Sequence, residues 1–131
     1  MPRSPLAYLA DIVEACDTID LALNGLEFAG YRRDPIIRAA VERQFITIGE
    51  AVNALSRLAP MLAAGISHVS MIVAFRNQLT HDYPSIDDEI VWGIATHDVP
   101  ALRAECETLL DELDAAESRS AGALGPADEP T

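Results

Sequence analysis

From Ser4 to about Leu113 the apolar residues return every three or four positions, the spacing of one face of an α-helix. Ser4 and Pro5 read as an N-cap followed by a first-turn proline, and Leu6, Leu9, Val13, Cys16, Ile19 or Asp20, and Leu23 keep the period. Asn24-Gly25 stops this first helix. Asp34-Pro35 starts a second in the same way, with Ile37, Val41, Phe45, Ile48, Val52 and Leu55 along one face and Pro60 marking its end. A third is expected from about Ser67 to Leu79, its inward residues Val69, Ile72, Val73 and Phe75. Pro84 prevents it continuing, because the residue before a proline avoids the helical region. Ser85 with Asp88 reads as a capping box for a short helix through Ile90, Val91 and Ile94. Asp98 and Pro100 then open a last helix carrying Leu102, Cys106, Leu109 and Leu113.

No segment alternates with the two-residue period of a half-buried strand, and no internal repeat is visible. The expected fold is all-α: an antiparallel bundle of four to five helices joined by short loops. It spans residues 1–117, and the Ala, Gly, Ser, Pro and acidic residues of 118–131 read as a disordered acidic tail.

Half of the 131 residues are apolar, enough for one core and too many for a disordered chain. Twenty-one acids stand against nine bases, all of them Arg, for a net charge of −12. That excludes the simplest kind of nucleic-acid binder, which gathers phosphate over a basic surface. The imbalance is local: residues 1–81 hold seven Arg and eight acids, whereas 82–131 hold two Arg and thirteen acids. Arg32, Arg33, Arg38 and Arg43 cluster at the start of the second helix, where they read either as a solvated face or as contacts for RNA phosphate.

Cys16 and Cys106 form no metal-ligand pair and read as reduced thiols packed in the core. Asp11 and Glu14 interrupt what would be the apolar centre of a signal peptide, which points to the cytoplasm. Eighteen residues between Arg57 and Arg76 carry no formal charge, but Pro60, Gly65, Ser67, His68 and Ser70 break the run, so no membrane span is expected. His-Glu-x-x-His, Glu-x-x-His, glycine-rich phosphate loops and Gly-x-Ser-x-Gly are all absent, and Asp11, Glu14 and Asp17 share a helix face without a histidine, so neither metal nor cofactor is expected. His68 and His97 read as surface or capping residues, and Trp92 as core or interface.

One octapeptide concentrates chemistry: Arg76, Asn77, Gln78, Leu79, Thr80, His81, Asp82 and Tyr83, ahead of Pro84. Its structural reading leaves Arg76 and Asn77 in solvent while His81 and Asp82 cap the helix and Tyr83 packs on the bundle. Its chemical reading is RNA cleavage without metal, in which the 2′-hydroxyl attacks the neighbouring phosphorus. Histidine moves protons near neutral pH, and arginine's planar fork holds the phosphate oxygens as charge builds. Five residues at roughly 100° each leave Arg76 and His81 about 140° apart on a regular helix. They converge if the last turn is distorted, or if two chains meet with these helix ends at a shared cleft.

Arg76-x4-His81-x-Tyr83 resembles the signature of the HepT-like toxins of the HEPN superfamily, and Asn77 matches the residue that commonly follows the arginine there. Ala40-Val41-Glu42-Arg43, Ile48-Gly49-Glu50-Ala51, Ile86-Asp87 to Val91-Trp92 and Val99-Pro100-Ala101-Leu102 also fit, so the resemblance covers about residues 5 to 114. It implies a HEPN-like homodimer and a metal-independent ribonuclease, the toxin of a toxin–antitoxin pair, often directed at transfer RNA. Arg76 and His81 would be catalytic, with Asn77 in support. A small nucleotidyltransferase antitoxin would silence the enzyme by adding AMP to Tyr83. The alternative is a non-catalytic helical protein that binds nucleotide or docks a nucleotidyltransferase.

Overall fold

A computed structural model describes residues 3–81 and 86–124, with the side chains of 123 and 124 left aside. Among the described residues there is no strand. Four long helices make the bundle: α1 (Pro5–Leu23), α3 (Pro35–Leu58), α5 (Val69–His81) and α7 (Val99–Leu124). Three short ones, α2 (Phe28–Arg33), α4 (Pro60–Ala63) and α6 (Asp88–Gly93), fill the connections. The all-α bundle expected from the apolar period is therefore the fold. None of the described helices is long and apolar enough to cross a membrane.

The helix ends follow local chemistry. Ser4 Oγ accepts the Ala7 N–H at 3.2 Å, and Asp34 Oδ1 accepts those of Ile36 and Ile37 at 3.0 and 3.1 Å, so each cap satisfies amides that the first turn leaves orphaned. Gly25 follows α1 with φ +77°, a left-handed conformation that only glycine adopts cheaply.

α1 and α3 pack along their length, α7 covers α1, and α5 lies chiefly against α3. Leu9, Ile12, Cys16 and Ile19 on α1 meet Val41, Ile48, Val52 and Leu55 on α3, all essentially inaccessible to water. Ile19 rather than Asp20 takes the inward position, and Asp20 is exposed. Burying each such aliphatic side chain contributes roughly 1.5–3 kcal/mol. Both cysteines are free and buried, and burial pushes their thiols up to about 12.

Four sequence expectations need correction. The segment between Gly25 and Asp34, read as a connection, holds α2, whose Tyr31 is wholly buried with its ring 5.5 Å from that of Trp92. The cap of α6 is Asp87, whose Oδ1 accepts the Glu89 N–H at 2.9 Å; Ser85 lies outside the described residues. Pro100 does not open a new helix. α6 runs into α7 through a π-helical turn at Ile94–Asp98, in which the Val99 N–H reaches back to Ile94 O. A proline ring collides with the carbonyl four residues earlier, and the extra residue of a π-turn carries the chain past that clash. Finally, α7 stays helical to Leu124, past residue 118 where the tail was expected to begin, and 125–131 lie outside the described residues.

Candidate active site

The first six residues of the octapeptide, Arg76 to His81, form the end of α5. The helix is regular through His81, so the distorted last turn that would bring Arg76 and His81 together is not present in one chain. Asp82 and Tyr83 lie outside the described residues. Thr80 Oγ1 donates back to the carbonyls of Arg76 and Asn77, at 3.2 and 3.1 Å, which ties down the turn between the two motif residues.

Arg76 is not the solvent-facing cation of the structural reading. It is half-buried, and its stem lies on Gly49 of α3. A Cβ built on Gly49 would meet Arg76 Cβ at 2.2 Å and Cγ at 2.6 Å, so only glycine permits this approach of the two helices. The Arg76 Nε is buried and has no hydrogen-bond partner among the described residues. The fold thus holds the arginine's stem while leaving a donor without a protein acceptor. A glycine inside an otherwise strong amphipathic helix is the one sign of this in the sequence, since it costs about 1 kcal/mol against alanine unless packing requires it.

Residues 59–68 join α3 to α5, and Arg38 near the start of α3 reaches Asp88 beyond the end of α5, so the two helices run antiparallel. They touch at Gly49 with Ile72 and Arg76, and at Phe45, whose ring meets that of Phe75 edge-on at 5.2 Å. The first half of α3, with Arg38 and Arg43, therefore lies toward the His81 end of α5. Arg32, Arg33 and Arg43 are exposed there. Arg38 is different, because it is half-buried and its Nη1 lies 3.5 Å from Asp88 Oδ2 at the start of α6.

By helical spacing α5 divides into three sectors. One meets α3. A second, holding Arg76, Thr80, Asn77 and His81, forms an arc about 140° wide, with Asn77, Thr80 and His81 exposed. The third, with Met71, Ala74 and Gln78, borders an open apolar groove of about 580 Å³ between α5 and the start of α7, floored by Phe45 and Ile48. Met71 is 68% exposed, and His81 stands where this groove meets the motif arc. His68 at the groove rim has φ +61°, in the left-handed region that few residues other than glycine adopt. His97 is exposed in the π-turn, and no group of three or more metal-binding side chains occurs among the described residues.

Comparison with known proteins decides what this arrangement belongs to. Residues 12–109 match the family model described as Ribonuclease HepT-like. The chain belongs to the HepT-like ribonuclease family. Ribonuclease activity is what that membership assigns. A protein of Thermococcus cleftensis named "Probable ribonuclease HepT" is 30% identical over 109 residues, 83% of this chain and 98% of its own. A protein of Methanocaldococcus jannaschii, named as an inferred RNase, is 30% identical over 105 residues, 80% of this chain and 95% of its own. Another from Caldanaerobacter subterraneus subsp. tengcongensis, named in the same terms, is 24% identical over 110 residues, 84% and 97% of the two chains. No solved structure matches. The resemblance of the chain to the HepT-like family is thus upheld by the comparison.

Proposed function

We propose that this HepT-like ribonuclease is the toxin of a toxin–antitoxin pair, acting in the cytoplasm as a homodimer that cuts RNA, transfer RNA among its targets, without a metal. The observation that carries the reading is Arg76: its stem is locked on Gly49, and its buried Nε finds no acceptor in the described protein. Such a fixed cation suits a phosphate whose charge grows in the transition state. His81, exposed at the end of the same helix, serves proton transfer in the cleavage, and Asn77 between them supports the phosphate. Arg32, Arg33 and Arg43 extend phosphate contacts at that end, which lets an acidic chain hold RNA locally, whereas Arg38 is already engaged by Asp88.

A second copy supplies what one chain lacks. With Arg76 and His81 about 140° apart, no single phosphate is gripped well from one helix. The groove bordered by the uncharged side chains of Met71, Ala74 and Gln78 reaches to within one turn of His81, and a second copy seated there brings two motifs beside one cleft. Silencing follows from the sequence after His81. A nucleotidyltransferase antitoxin adds AMP to Tyr83, two residues after His81 in the sequence, and the added bulk and negative phosphate oppose the binding of RNA phosphate.

The test is cleavage of transfer RNA in chelator by protein produced without its neighbour, its Tyr83 shown unmodified by intact mass. Arg76→Ala and His81→Ala should each cut at least about a hundredfold more slowly while melting normally. Unmodified wild type that binds a nucleotidyltransferase but leaves RNA intact would establish the non-catalytic docking protein instead.

A further inference from the structure

Arg38, Glu42, Phe45 and Gly49 occupy one stripe of α3, within roughly 60° of each other by helical spacing. The last two of these touch α5, at Phe75 and Arg76. The stripe continues beyond them toward the His81 end. Seven residues carry it about 10 Å from Gly49 to Glu42, and five residues carry α5 about 7.5 Å from Arg76 to His81 in the same direction. Glu42 therefore stands at the level where α5 ends, on the face of α3 that α5 has covered up to that point.

The surroundings of Glu42 are costly. Its carboxyl is half-buried and held above the usual range, first by burial and then by the neighbouring charge of Asp88 on α6, with Arg38 opposing. From α2, Tyr31 contributes a wholly buried side chain whose hydroxyl has no hydrogen-bond partner among the described residues, and Glu42 and Asp88 both act on that phenol. Arg38 Nε is likewise buried and unpartnered, and its contact with Asp88 is long at 3.5 Å. A carboxylate kept only to tie helices together is held below its usual range by its partners. Here Glu42 and Asp88 both lie near one arginine, beside a buried hydroxyl without a partner among the described residues, an arrangement that costs stability when both carboxylates are ionised. Perturbed groups of this kind collect where protons are moved.

Cleavage by a 2′-hydroxyl needs one group to take a proton and another to give one. We propose that Glu42 is the second proton-transfer group of the cleavage site, the base that works opposite His81. This rests on the ribonuclease reading above. Glu42 takes the 2′-hydroxyl proton as the 2′-oxygen bonds to phosphorus; the P–O5′ bond breaks, and protonated His81 gives its proton to the departing 5′-oxygen. The products are a 2′,3′-cyclic phosphate and a 5′-hydroxyl, and water restores both side chains.

The experiment is the pH dependence of transfer-RNA cleavage by unmodified full-length protein in chelator, with thermal melts alongside. Glu42→Gln should lower the rate about a hundredfold or more and remove the acid limb of the profile, yet raise the melting temperature at pH 7. The sign follows from linkage. A carboxyl raised in the folded protein opposes folding while ionised, and that penalty disappears as pH falls through its folded value. Asp88→Asn removes the charge that raises Glu42 and should move the acid limb to lower pH with cleavage retained. Glu42→Gln that cuts at the wild-type rate with an unchanged profile overturns the proposal and leaves the enzyme intact, with His81 of two copies doing both transfers. Glu42→Gln that loses activity together with stability also overturns it, since that marks a structural residue. Failure of wild type itself to cut falls on the ribonuclease reading.

Discussion

Replacing Gly49 by alanine adds one methyl group at the point where α3 and α5 approach most closely. The new carbon would stand 2.2 Å from Arg76 Cβ and 2.6 Å from Cγ, where carbon atoms ordinarily rest about 3.5–4.0 Å apart. Cβ is fixed to the backbone and cannot swing away, so relief requires α5 to move by more than about 1 Å. Helical propensity alone favours alanine by about 1 kcal/mol. Overpacking of this kind costs typically 1–3 kcal/mol, and an overlap this deep belongs at the upper end, leaving a net loss of about 1–2 kcal/mol. Cleavage should suffer more than stability, since a shift of about 1 Å in Arg76 can cost a hundredfold in rate. Gly93→Ala is the internal control. That glycine is helical with nothing within 4 Å of the added carbon, so the change should stabilise by roughly 0.5–1 kcal/mol. Urea melts of both variants, with RNA cleavage measured beside them, test the point. A Gly49→Ala protein that melts later than wild type and cuts as fast would refute the close approach, and with it the seating of Arg76.

Three further outcomes follow from the packing. Tyr31→Phe removes a buried hydroxyl that has no partner and should leave stability unchanged or raise it by up to about 1 kcal/mol in urea melts; a loss of 2 kcal/mol would mean that the hydroxyl is satisfied. Asp34→Ala deletes the acceptor of two first-turn amides and should cost about 1–2 kcal/mol, read in the same way. Cys16 and Cys106, buried and pushed up to about 12, should resist a thiol reagent at pH 8 in the native protein and react in denaturant; ready native labelling would contradict their burial.

Much of this protein is determined by short-range physics that the sequence displays. The three-to-four spacing of apolar residues, the caps at Ser4 and Asp34 and the stop at Gly25 act within one or two turns, so α1 and α3 could be placed before any packing was known. The motif residues stand out because a cation, an amide and an imidazole crowd six positions of an apolar helix. The π-turn at Ile94–Asp98 escaped notice because Pro100 ordinarily begins a helix, and only the continuous rod from α6 to α7 makes it pass through one. α2 is too short to show a period, and its place depends on Tyr31 meeting Trp92. The roles of Gly49 and Glu42 are decided by tertiary structure alone. What matters at each is which residue of another helix lies opposite, and that is set by how α3 lies against α5 and by the contact of Arg38 with Asp88 on α6, which no local pattern encodes.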